Sequence, residues 1–108
     1  MEGPNLRHSP RTSFHAPIDI HIGGKTIHLD HALGNLSAHG LFLSHEDLPV
    51  NSPVHVKIAS GPGVEADGVV RFSDAEGVGI EFTAATDADR RRLDDLIAEL
   101  TRRESLPS

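Results

Sequence analysis

The chain has no cysteine, no tryptophan and no tyrosine among its 108 residues, and each absence removes a class of chemistry. Without thiols there is no disulfide framework, no thiolate zinc site and no cysteine nucleophile, which suits a reducing compartment. With only four phenylalanines, the stacking surface that a barrel needs to bind single-stranded nucleic acid is lacking. No apolar run approaches the length of a membrane span, and the basic residues near the N-terminus are followed by no apolar stretch of the signal-peptide kind. A cytoplasmic chain without membrane insertion is expected. Basic charge is also scarce: 10 Lys and Arg stand against 16 Asp and Glu, for a formal net charge of -6. That balance excludes broad electrostatic binding to DNA, RNA or anionic lipid, so any bound anion must be gripped locally.

What is present reads as one small domain. Residues 1–13 hold prolines, a glycine and serines with almost nothing apolar, too little to offset the entropy of ordering, and they are expected to form a flexible arm. The arm's first arginine stands only six residues into the chain, so no separate domain is expected upstream. From Phe14 the pattern alternates: Ile18, Ile20 and Ile22 face one way while Asp19 and His21 face the other, the period of a half-buried strand. Gly23-Gly24 fits a two-residue hairpin turn, which sets Ile20 against Ile27 and Asp19 against His28. Leu41–Leu43 and the alternating sets Val54/Val56/Ile58, Ala66/Gly68/Val70/Phe72 and Val78/Ile80/Phe82 read as further strands. Pro49, Ser52-Pro53 and Gly61-Pro62-Gly63 punctuate them.

Six short strands at this spacing predict an all-β fold, a six-stranded antiparallel β-barrel that closes its own edges. After Thr86 the period turns helical. Leu93, Leu96, Ile97 and Leu100 share one stripe, and Thr86-Asp87-Ala88-Asp89 resembles a capping box. The expected organisation is an arm over 1–13, a barrel with a C-terminal helix (about 86–103) over 14–103, and a tail over 104–108. Arg90 with Asp94, and Glu99 with Arg103, are spaced for i,i+4 ion pairs.

Two segments carry chemistry. Arg7-His8-Ser9-Pro10-Arg11 reads RxxxR, and in an extended arm the even spacing puts both guanidinium groups on one side, roughly 13 Å apart. Guanidinium can hydrogen-bond phosphate, take the O6/N7 edge of guanine bidentately, or stack on a purine face. Asn35-Leu36-Ser37-Ala38-His39-Gly40 reads NxSxxG. Asn35 and Ser37 are expected on one face, able to address a guanine edge or phosphate oxygen, with Leu36 turned into the core. Gly40 is expected to supply either a positive φ or a close backbone approach.

An RxxxR arm, then a hairpin, then NxSxxG leading into an apolar strand, resembles the PilZ family over nearly the whole chain, and Gly77–Phe82 looks like that family's closing strand. The resemblance implies a receptor for the bacterial second messenger cyclic di-GMP, bound singly or as a stacked pair. It implies that Arg7 and Arg11 clamp phosphates and guanine edges, that Asn35 and Ser37 hold one guanine and the adjacent phosphate, and that Gly40 keeps the pocket floor open. Many relatives have extra arginines beside the first motif arginine, where this chain has Leu6 and His8. The expected partners are cyclic di-GMP and a downstream protein, with no cofactor and no nucleic-acid polymer, and the expected state is a monomer or weak dimer. The alternative is a PilZ-like adaptor that binds protein and ignores the nucleotide.

The remaining polar residues point elsewhere less strongly. The eight histidines fit no zinc spacing and are expected to face solvent. Arg90-Arg91-Arg92 is bracketed by acids and reads as a solvated helix face. No nucleophile, base and orienter come together, so no enzyme is expected.

Overall fold

Alternating apolar and polar residues from Thr12 onward curl into a closed barrel whose inward side chains make the core. The computed structural model describes residues 12–59 and 63–105. These form strands β1 (Thr12–Ile22), β2 (Lys25–Leu36), β3 (Gly40–Ser44), β4 (Pro53–Ile58), β5 (Val64–Asp74) and β6 (Gly77–Ala84), followed by helix α1 (Asp87–Ser105). The barrel closes in the order β1-β2-β3-β6-β5-β4, with every pair antiparallel. The expected all-β fold, a six-stranded antiparallel β-barrel with a C-terminal helix, is what is found.

The first hairpin has the expected register, Asp19 opposite His28 and Ile20 opposite Ile27. Gly23 and Gly24 both take positive φ, +55° and +79°, the combination a two-residue turn needs to follow strand twist. β1 starts at Thr12, two residues before the expected Phe14. Thr12 is buried and lies opposite Leu36, so a polar residue opens the strand.

Ile18, Ile20, Leu36, Leu43, Val56, Ile58, Val70 and Val78 are almost wholly buried. Each such side chain contributes roughly 1.5–3 kcal/mol of burial free energy. α1 lies against β1 and β5, with Leu93 and Leu96 buried and Ile97 and Leu100 packed on the core. Its cap differs from a capping box: the Thr86 hydroxyl accepts from Asp89 N (3.0 Å) and donates to the Asp89 carboxylate (2.9 Å). Asp89 also accepts from the backbone N–H of Glu65, tying the helix start to β5. The bond from Thr86, then that from Glu65, hold the Asp89 carboxyl below its ordinary range. Its ion pair is with Arg92 at i,i+3. Arg90 and Asp94 form no pair among the described residues.

Besides a register shift between Asp67 and Gly68, two bulges break the alternation. One lies opposite the Ala16–Ile18 step of β1, the extra residue being on β2 between Leu29 and Ala32, where the facing Pro17 has no N–H to give to a ladder. The other lies between Val70 and Phe72. It turns Phe72, expected inside, to the outer face, where it is 44% exposed and stacks on Phe42 with centroids 6.1 Å apart.

Candidate functional site

The NxSxxG segment spans the end of β2 and the turn into β3, and buried Leu36 anchors it. Leu36 occupies the core side, as expected, and truncating such a residue costs about 2–5 kcal/mol. Its neighbours on either side have different surroundings. Asn35 is half-buried on the outer face, between Ser13 of β1 and Phe42 of β3. Its carboxamide, which has both donor and acceptor capacity, carries no hydrogen bond among the described residues.

Ser37 is buried and ties the turn together. Its backbone N–H donates to the Gly40 carbonyl (2.9 Å). Its hydroxyl accepts from the His39 N–H (3.2 Å) and lies 3.4 Å from the same Gly40 carbonyl. In this state the hydroxyl shapes the loop, and at those lengths both side-chain bonds are weak ones.

Of the two roles expected for Gly40, the close approach is the one found. It is absent from the positive-φ residues, but a Cβ there would stand 2.5 Å from the carbonyl oxygen of Ile80 on β6. The glycine lets β3 and β6 meet where the turn enters the sheet.

Arg7 and Arg11 lie outside the described residues, and so does most of the arm expected over 1–13. The residue that follows them, Thr12, is Leu36's partner, and the next, Ser13, is Asn35's. The described chain therefore begins beside the NxSxxG segment.

The outer face divides by charge. Around β1, the turn-side half of β2, β4 and β5, His28 bridges the carboxylates of Asp19 and Asp30, while His55 bridges Glu65 and Asp67 at 2.8 Å each. These bonds raise both imidazoles above their ordinary value, with Asp19 the larger influence on His28 and Asp67 on His55. Such pairs are exposed structural ties, and no cluster able to hold a metal ion occurs among the described residues. Around Asn35 the outward residues Ser13, His15, His31, Leu33 and Phe42 instead carry no carboxylate. This side was missed in the sequence, although Pro17 inside a strand pattern was a signal for the bulge that shapes it.

A cleft of about 530 Å³ lies at the opposite end of β1 and β2, lined by Ile22, Ile27, Leu48 and Pro53 among others. Its lining is mainly apolar, with Lys25 and Asp47 its charged members among the described residues, and it shares no residue with the NxSxxG segment.

A family model described as PilZ domain matches residues 5–99, a span that includes Arg7, Arg11 and the whole NxSxxG segment. Among solved structures the chain is similar to the Bacillus subtilis inhibitor of motility (MotI/DgrA), with 20% identity and a TM-score of 0.65. The likeness covers 91% of this chain and 51% of that one, so this chain spans about half the neighbour's length and the likeness speaks for the fold. No curated protein sequence matches.

Proposed function

Because this chain belongs to the PilZ domain family, we propose that it is a cytoplasmic receptor for cyclic di-GMP, with Arg7 and Arg11 closing over a nucleotide held by Asn35, Ser37 and Gly40. The observation that carries this reading is the pairing of Thr12 with Leu36. Arg11 is peptide-bonded to Thr12, so its Cα stands about 3.8 Å from a residue in register with the NxSxxG segment. Arg7 is five residues from Thr12 and within about 18 Å of it even at full extension. Guanidinium groups on a short tether thus have reach to a ligand resting on Asn35, and the free Asn35 carboxamide can take a guanine edge.

The energetics favour moderate affinity. Two or three charge-assisted hydrogen bonds contribute about 1.5–3 kcal/mol each, and stacking about 0.5–2, against about 1–2 kcal/mol for each backbone residue that becomes ordered. The balance corresponds to about micromolar binding or somewhat tighter. Ordering of the arm creates a surface made of arm, ligand and barrel, which a downstream protein reads as the signal. The structural neighbour's name makes a motility component one class of such partner. The receptor acts as a monomer or weak dimer and performs no catalysis.

The stacked pair of half-buried Phe42 and exposed Phe72 favours a second reading, a nucleotide-independent adaptor that binds protein through this outer face. Titration calorimetry with cyclic di-GMP separates the two. The receptor reading expects saturable heat from the wild type and about tenfold or greater weakening in Arg11→Ala and Ser37→Ala, the scale of one lost charge-assisted bond. No heat from the wild type favours the adaptor.

A further inference from the structure

Among the described residues, Leu33 is the most exposed large apolar side chain, at 51%. It lies opposite His15 across the β1–β2 ladder. It also stands two residues from Asn35 on the same face of β2, about 7 Å along the strand. The ring of His31, two residues further on, lies 5.6 Å from that of His15, tilted by 46°. A bulge on β2 opposite Pro17 includes the His31 segment: β1 advances by two residues, Ala16 to Ile18, while β2 advances by three, Ala32 to Leu29. Bulges of this kind re-aim side chains and are common beside functional sites.

His15 and His31 also differ from the other paired histidines on the barrel. His28 and His55 each have both ring nitrogens engaged by carboxylates, and His21 bonds Thr26. His15 and His31 instead contact each other ring to ring and have no hydrogen bond or ion pair among the described residues.

We propose that His15, His31 and Leu33 form a stacking platform for a purine base of the nucleotide whose other contacts are at Asn35 and Ser37. Two imidazole rings and an isobutyl group offer an apolar surface with exposed π-faces, continuous with the Asn35 carboxamide along one face of one hairpin. A purine is flat and wide enough to cover such a surface, and stacking is tolerant of the base's exact rotation. His15, Leu33 and Asn35 have no carboxylate among them, and the nearest in sequence, Asp30, is paired with His28, so a phosphate beside the base meets less repulsion there than on the acidic face around Asp19, Glu65 and Asp67.

This platform rests on the receptor reading, and one set of titrations keeps the two distinguishable. Full-length wild type, Asn35→Ala, His15→Ala, His31→Ala and His15→Phe are titrated with cyclic di-GMP, each variant's fold being checked by circular dichroism and thermal melting. The expected result is about tenfold weaker binding in His15→Ala and in His31→Ala, with near wild-type affinity in His15→Phe, which keeps a π-face but no ring nitrogen. His28→Ala, on the acidic face, is expected to bind as wild type. If Asn35→Ala weakens binding while His15→Ala and His31→Ala do not, the platform is wrong and the receptor reading survives. If His15→Phe binds as poorly as His15→Ala, stacking is wrong. If wild type itself does not bind, both readings fall.

Discussion

Thr12, the first residue of β1, pairs with Leu36, the buried residue between Asn35 and Ser37. One ladder pair therefore joins the first described residue of the barrel to the core anchor of its polar motif. The placement follows from ordinary sheet physics, an inward Leu36 fixing the register and an outward Asn35 following from the period of two.

Gly40 is held to glycine by the Ile80 carbonyl and not by its φ. Gly40→Ala is expected to lose about 1–3 kcal/mol of stability, as overpacking does, and to weaken ligand binding by shifting the turn. Gly23→Ala, where the added Cβ meets open space and only the positive φ of +55° is unfavourable, should cost about 1–2 kcal/mol and leave binding unchanged. Urea unfolding and calorimetry on both variants check this, and a Gly40→Ala protein with normal affinity would be contrary to it.

The hairpin and the cap region show how far such a sequence can be read. Gly23-Gly24 with alternation on both sides determines a register because turn length and face agree, and the Asp19–His28 pair followed correctly. Phe72 was misplaced because a bulge shifts the face of every residue beyond it, and nothing in Val70-Arg71-Phe72 marks one. Ser37 was legible as a motif position, whereas its role in closing the turn on Gly40 depends on loop geometry. The His15–Leu33 pairing was not legible because the register set by the turn would put His15 opposite Ala32, and the bulge between Ala16 and Ile18 shifts it by one.

Gly79 and Phe72 make a coupled pair. A Cβ at Gly79 would enter the ring of Phe72, which covers β6 at that point. Gly79→Ala should therefore be destabilising in the wild-type background and much less so with Phe72→Ala, giving a coupling of about 0.5–3 kcal/mol in a double-mutant cycle. Simple additivity in urea melts would show that the ring is not held over Gly79.

His28 and His55 predict a pH dependence of stability. Their folded-state pKa values are raised above 6.5 by flanking carboxylates, so the stabilisation is fully present below that value and is lost as pH rises through the raised folded values. The urea midpoint of the wild type should fall across the upper part of the range from about pH 5 to 8, less so in high salt. His28→Gln combined with His55→Gln should flatten that fall. A wild-type midpoint constant over the range would contradict the assignment.

The most direct test is an NMR titration of the 15N-labelled protein with cyclic di-GMP. The account predicts saturable shifts concentrated at Thr12, Ser13, Asn35, Ser37 and Gly40, together with the amides of Arg7 and Arg11. A spectrum unchanged at saturating nucleotide, or shifts gathered instead around the cleft at Leu48, would contradict it.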